Sequence, residues 1–270
     1  MNNDKTSILN YITSKKEYAR HAILIDPADQ TPDIAAKRCL AAANAGSSMI
    51  LVGGSSDTDM KNVEATVSAI KEMLELVKWA ATQDAITSEE QNIPVVLFPQ
   101  GAAALSTKAD AVTFMMLMNS TSSRYLIDEQ VLGAPHIKKS GIEPLPMGYL
   151  VCAPGGKVGE VGKANLIQPS DLDRVSAYAT TAEFYGFKLI YLEAGSGAKT
   201  PVSPNLIESA KESCNLTIVV GGGIRDGKTA RIAAKAGADW IVTGNLAEEY
   251  DDADELQKKL TQFIVEMTKY

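Results

Sequence analysis

Residues 187–197 read FKLIYLEAGSG, a short run rich in aromatic and β-branched residues that delivers Glu193 and then breaks into Gly195, Ser196 and Gly197. Such a run followed by glycines marks a strand ending in a tight turn. The turn can aim bare backbone N–H groups at an anion, with a carboxylate beside it. One junction of this kind says little, because glycines often end strands for conformational reasons alone. This one recurs, at residues 217–224 (TIVVGGGI) and 240–245 (WIVTGN). Three successive strand ends can therefore surround one ligand.

The rest of the chain repeats the alternation of short apolar runs with helical periodicity. An amphipathic helix is expected over 8–20, then a strand over 21–26 (HAILID) ending in Asp26. Pro32 opens a helix that Gly46 stops. The strand at 48–52 runs into Gly53, Gly54, Ser55 and Ser56, so a second polar cluster lies at a strand end. Val63, Val67, Ile70, Leu74 and Val77 carry helical spacing through one or two helices within 59–91. Strands follow at 94–98, 111–118 and 144–152, with a loop of small residues after the first and a helix over 125–139 after the second. The glycine-rich stretch 154–162 (PGGKVGEVG) is expected to be an unpacked loop, either one that moves or folds over a ligand or a floppy surface excursion. Helices over 170–185, 204–213, from Asp226, and over 254–269 alternate with the last three strands. Eight strands alternating with helical segments predict an α/β fold, a modified TIM (β/α)8 barrel forming a single domain over 1–270.

Composition narrows the function. A net charge of −7, with Lys and Arg scattered along the chain, argues against a nucleic-acid surface, so any anion must be bound locally. Charged residues interrupt the first 25 positions, and no apolar run is long enough to cross a bilayer, which predicts a cytoplasmic protein. Cys39, Cys152 and Cys214 are odd in number and far apart, and His21 and His136 are the only histidines. That fits neither a disulfide framework nor a zinc or histidine-rich metal centre.

The motifs together carry a resemblance. LIDP at 24–27, GGS at 53–55, LPMGYLV at 145–151 with PGG at 154–156, YLEAGSG at 191–197, VVGGGIR at 219–225 and VTGN at 242–245 span the chain in order, each at a strand's C-terminal end. In these the chain resembles the geranylgeranylglyceryl phosphate synthases and their bacterial heptaprenylglyceryl relatives, prenyltransferases on a modified TIM barrel. Two stretches depart from the family's pattern: the connection 60–92 is longer, and FPQG at 98–101 replaces FPG followed by Asn.

The resemblance implies magnesium-dependent transfer of a geranylgeranyl group from its diphosphate to the 3-hydroxyl of sn-glycerol 1-phosphate, forming the first ether bond of archaeal-type membrane phospholipids. Mg2+ would be held by Asp26 and Ser55, hard oxygen ligands that leave positions open for diphosphate oxygens. Glycerol 1-phosphate would lie across Tyr191, Leu192, Glu193, Ala194, Gly195, Ser196 and Gly197, with Gly222, Gly223, Gly244 and Asn245, the position of the usual barrel phosphate site. Glu193 would act as the catalytic base. The small residues Ala102–Ala104 would leave room for the prenyl tail. Other partners implied are further copies of the chain, as a homo-oligomer, and peripheral contact with a membrane. Taken on their own, Asp26 could instead cap the helix near Pro32, and Glu193 could be a buried salt-bridge partner. Alternative functions are a heptaprenylglyceryl phosphate synthase with a longer donor, or another phosphate-binding barrel enzyme using a flavin or a sugar phosphate. No lysine stands at a strand end, which argues against a Schiff-base aldolase.

Overall fold

The computed structural model describes residues 7–54, 57–83 and 93–269. Its strands are β1 (Arg20–Ile25), β2 (Met49–Val52), β3 (Val95–Leu97), β4 (Ala111–Leu117), β5 (Glu143–Val151), β6 (Leu189–Glu193), β7 (Thr217–Gly221) and β8 (Trp240–Thr243). They pair in parallel, in sequence order, and β1 closes on β8 through Arg20 opposite Trp240 and Ile23 opposite Thr243. The expected (β/α)8 barrel is what the chain forms. The helices are α1 (Ile8–Thr13), α2 (Pro32–Asn44), α3 (Met60–Gln83), α4 (Glu129–Ser140), α5 (Gly156–Val161), α6 (Leu172–Phe184), α7 (Pro204–Ser213), α8 (Gly227–Lys235), α9 (Asn245–Glu248) and α10 (Ala253–Met267). Among the described residues, no helix is long and apolar enough to cross a membrane.

Side chains alternate across a strand, so each strand feeds two cores. Ala22, Leu51, Val96, Met147, Tyr191, Val219 and Val242 fill the barrel interior. Ile23, Ile50, Leu150, Ile190, Ile218 and Ile241 pack outward against the helices. This parity decides the site, because it turns Glu193 inward with Tyr191 and sends Leu192 out.

Three expectations change. The opening helix ends at Thr13, short of residue 20. Arg20 is the cause: its guanidinium donates to the carbonyls of Tyr11 (2.8 Å), Ile12 (2.5 Å) and Ser14 (3.2 Å), so it stops the helix and folds the chain back into β1. The shortened α1 then plugs the barrel's N-terminal mouth. Ile12 is buried, Trp240 Nε1 donates to its carbonyl at 3.0 Å, and Glu143 accepts the backbone N–H groups of Ile8 and Leu9.

The second change is at 154–162, where the chain is a packed helix, α5, and not a loose loop. Tertiary contact overrides the poor propensity of its glycines. Gly155 N–H donates to Ala194 O at 2.9 Å, and Gly159 is buried, so α5 lies against the loop after β6. Third, the small residues after β3 form a 3-10 turn, Ala102–Ala104, held by Ala102 N–H donating to Glu129 Oε2 at 2.8 Å. Of the expected helical stretch 59–91, α3 accounts for the residues to Gln83, and 84–92 lie outside the described residues.

Candidate active site

Glu193 ends β6 at the barrel's C-terminal mouth, 6% exposed. Its Oε1 accepts the Gly195 N–H at 2.6 Å, and it accepts a hydrogen bond from Tyr191. Burial dominates and lifts its carboxyl to about 7; the Gly195 N–H and the Tyr191 hydroxyl pull the other way. Among the described residues no cation pairs with it, so it is not a salt-bridge partner. A carboxylate poised near neutrality, facing a cleft, is equipped to take a proton.

On one side of Glu193 lies a polar cleft formed by the ends of β6, β7 and β8, lined by Ser196, Gly197, Gly222, Gly223, Gly244 and Asn245. Sequence predicted all six. Gly222 adopts a positive φ of 83°, and a Cβ there would lie 2.2 Å from Glu193 Oε1 and 2.8 Å from Ala194 N. Only glycine lets the two loops approach this closely. Asn245 Oδ1 accepts from Ser196 Oγ and from Gly197 N–H, both at 2.9 Å, tying the β6 loop to the β8 loop. Three residues grouped by sequence with the cleft are not among those that line it. Leu192 and Ala194 are fully buried in the outer core, as strand parity requires, and Gly195 spends its N–H on Glu193.

On the other side is an apolar cavity of ≈ 150 Å³. Phe98, Leu105, Val112, Phe114, Met115 and Ile137 are among its walls. Ala102 lines it, where sequence expected space, but β4 and α4 supply more of the wall than the small-residue turn does. The two cavities share Leu24, Glu193 and Ser196, so they meet at the carboxylate. Phe98, Tyr149 and Tyr191 surround that junction with ring centroids 5.2 to 5.8 Å apart. Neither Phe98 nor Tyr149 has a role that the sequence motifs assign. Parity could have found Tyr149, since it stands opposite the inward-facing Tyr191 in the β5–β6 register.

Asp26 follows β1 directly and faces the same mouth. It is not a helix cap: Thr31 caps α2, its side chain accepting from Ile34 N–H. Among the described residues, the donor to the Asp26 carboxylate is Ala28 N–H, at 2.9 Å. Burial raises its carboxyl to about 6; the Ala28 N–H and the Lys157 charge oppose the rise, and Asp29 and Glu248 add to it. A Cβ on Gly54 would lie 1.9 Å from Asp26 Oδ2, so a side chain there would push the carboxylate out of place. A carboxylate crowded by other negative charge gains from a divalent cation, and its hard oxygens suit magnesium. Ser55, the other predicted ligand, lies outside the described residues. Among the described residues no three His, Cys, Asp or Glu side chains are grouped to hold a metal ion by themselves.

A closed parallel barrel with an anion cradle and an apolar cavity meeting at one carboxylate has the layout of a phosphate-handling (β/α)8-barrel enzyme. The chain belongs to the PcrB family, which matches residues 12–264, and to its geranylgeranylglyceryl phosphate synthases, which are prenyltransferases. It is 44% identical over 247 residues to the geranylgeranylglyceryl phosphate synthase of Methanothrix thermoacetophila, covering 91% of this chain and 90% of that protein. The fold superposes with a TM-score of 0.86 on the (S)-3-O-geranylgeranylglyceryl phosphate synthase of Thermoplasma acidophilum, solved in complex with its substrate sn-glycerol-1-phosphate. Identity there is 36%, over 97% of this chain and 99% of that one. The Thermoplasma volcanium enzyme gives the same TM-score of 0.86 at 41% identity, over 97% and 98% of the two chains.

Proposed function

We propose that the protein transfers a geranylgeranyl group from geranylgeranyl diphosphate to the 3-hydroxyl of sn-glycerol 1-phosphate. The observation that carries this reading is the meeting of the polar cleft and the apolar cavity at Glu193. A phosphorylated alcohol in the first and a prenyl chain in the second would bring the hydroxyl and the allylic carbon together at a base.

Glycerol O3 attacks the allylic carbon, the carbon–oxygen bond to diphosphate breaks, and Glu193 takes the hydroxyl proton. The leaving diphosphate carries away the electron pair. Tyr191 and Gly195 orient the carboxylate before reaction. The rings of Phe98, Tyr149 and Tyr191 offer π faces to positive charge developing on the allylic carbon, and they exclude water from it. Asp26, with Ser55, would hold magnesium; when bound, the ion offsets charge on the diphosphate. Exposed apolar side chains such as Leu132 (68% exposed) and Phe184 (82% exposed) suit a homo-oligomer, which light scattering over a dilution series tests.

The direct test supplies glycerol 1-phosphate and magnesium with radiolabelled geranylgeranyl or heptaprenyl diphosphate, then extracts lipid. We expect labelled lipid from the geranylgeranyl donor. Labelled lipid from the heptaprenyl donor alone would reassign the donor, and none from either would overturn the reading.

A further inference from the structure

The polar cleft is built almost wholly from glycines and neutral side chains, and the one carboxylate among its lining residues is Glu193. A phosphate dianion beside a carboxylate needs an opposing charge. Among the residues that line the cleft, Arg225 alone is a cation. It follows Gly222, Gly223 and Ile224 in the loop after β7, and Asp226 behind it caps α8. Its Nη2 donates to the carbonyl of Gly197, in the facing β6 loop, at 3.2 Å. The guanidinium is thus drawn across the cleft's mouth from the β7 side, while Asn245 closes the β6 loop from the β8 side. Among the described residues no carboxylate forms a salt bridge with Arg225, and the Asn245 amide, not Arg225, bonds Glu248 Oε2 at 2.8 Å. A guanidinium has five N–H donors, so the bond to Gly197 leaves most of the fork for an anion.

We propose that Arg225 reads the charge of the phosphate group, and that it makes the cleft select a phosphorylated acceptor over a neutral polyol. This rests on the glycerol phosphate reading above and deepens it. Backbone N–H groups position the phosphate oxygens but count charge weakly, and a guanidinium on the rim supplies the discriminating term. Arg225 is a positioning and specificity residue, since it reaches the phosphate and not the reacting oxygen.

The test compares wild type with Arg225→Gln and Arg225→Lys. Binding of glycerol 1-phosphate and of inorganic phosphate is measured by calorimetry at low and high salt, and KM and kcat are taken for acceptor and donor. The Gln variant should bind both anions about fivefold more weakly at low salt. Its acceptor KM should rise in step, with donor KM and kcat within about twofold of wild type. The Lys variant should regain most of the affinity, and the salt dependence should flatten in Gln but not in Lys. Unchanged affinity in Gln would overturn the proposal. So would an equal, salt-independent loss in Gln and Lys, with kcat falling too, because that pattern belongs to a broken loop contact with Gly197. Inorganic phosphate separates this proposal from the function it rests on. If wild type binds phosphate and Gln loses it, yet neither prenylates glycerol 1-phosphate, Arg225 keeps its role and the function reading falls.

Discussion

The two halves of the barrel mouth are built by opposite means. Around the ends of β6, β7 and β8 the walls are backbone: glycines at positive φ, N–H groups, and one asparagine bridging two loops. Around β3, β4 and α4 the walls are side chains, apolar and partly aromatic, about a cavity of ≈ 150 Å³. A backbone wall is rigid and tolerates no added atom; a side-chain wall can repack. The contrast suits the two ligands proposed: a small, charged group needs fixed donors, and a long apolar chain needs area removed from water. Substitutions on the cleft side should therefore change turnover or acceptor binding sharply, and those on the cavity side should change donor use by degrees.

The largest effect is expected at the junction. Glu193→Gln keeps the shape and removes the proton acceptor, so kcat should fall roughly 10²- to 10⁴-fold with little change in acceptor KM. The base form of a carboxyl held at about 7 grows as pH rises, so wild-type kcat should climb through pH 7 and fall about tenfold per unit well below it. Steady-state kinetics across pH 5 to 9 checks both. Near-normal turnover in the Gln variant would leave the junction without its base.

Gly222→Ala follows. Its Cβ would press on Glu193 Oε1 at 2.2 Å and hold a left-handed backbone that alanine resists by roughly 1–2 kcal/mol. Displacing the carboxylate by an ångström should lower kcat/KM on the order of a hundredfold. A folded, fully active Ala variant would show that the backbone wall yields after all.

Asp26→Asn should keep the fold and weaken donor use about tenfold or more, with partial rescue by excess magnesium. Initial rates against magnesium concentration decide it. Wild-type turnover persisting unchanged in a chelator would remove the metal and leave Asp26 without that role.

The smallest effect belongs to the apolar wall. Gly133 lies inside α4, and a Cβ there would meet Leu105 Cδ1 at 3.3 Å and Ala102 Cβ at 3.7 Å. Gly133→Ala should raise the donor KM several-fold, leave acceptor KM alone, and stabilise the helix by up to about 1 kcal/mol. Kinetics with thermal melts separates the two. A larger change in acceptor KM than in donor KM would erase the distinction between the halves.

Much of this architecture is written locally. The strand runs, their glycine endings and the intervening helical periodicity were enough to predict eight alternating units, and six residues of the polar cleft stand where their strand-end position put them. What failed was local as well. Residues 154–162 look too rich in glycine to be helical, and α5 forms because the β6 loop gives its first turn a partner in Ala194 O. Residues 8–20 look like one helix, and Arg20 cuts it short from outside.

Sequence by itself determined which runs are strands and where they end, because turn chemistry acts between neighbours in the chain; it left open which face of each strand is inward, since both faces are buried and the apolar run is continuous. Tertiary structure decided what those ends meet. Tyr149 finds Tyr191 through strand register, Arg225 finds Gly197 across two loops, and the cleft joins the cavity at Glu193. Barrel closure brings together groups tens to hundreds of residues apart, and only burial at that junction lifts one carboxyl to about 7.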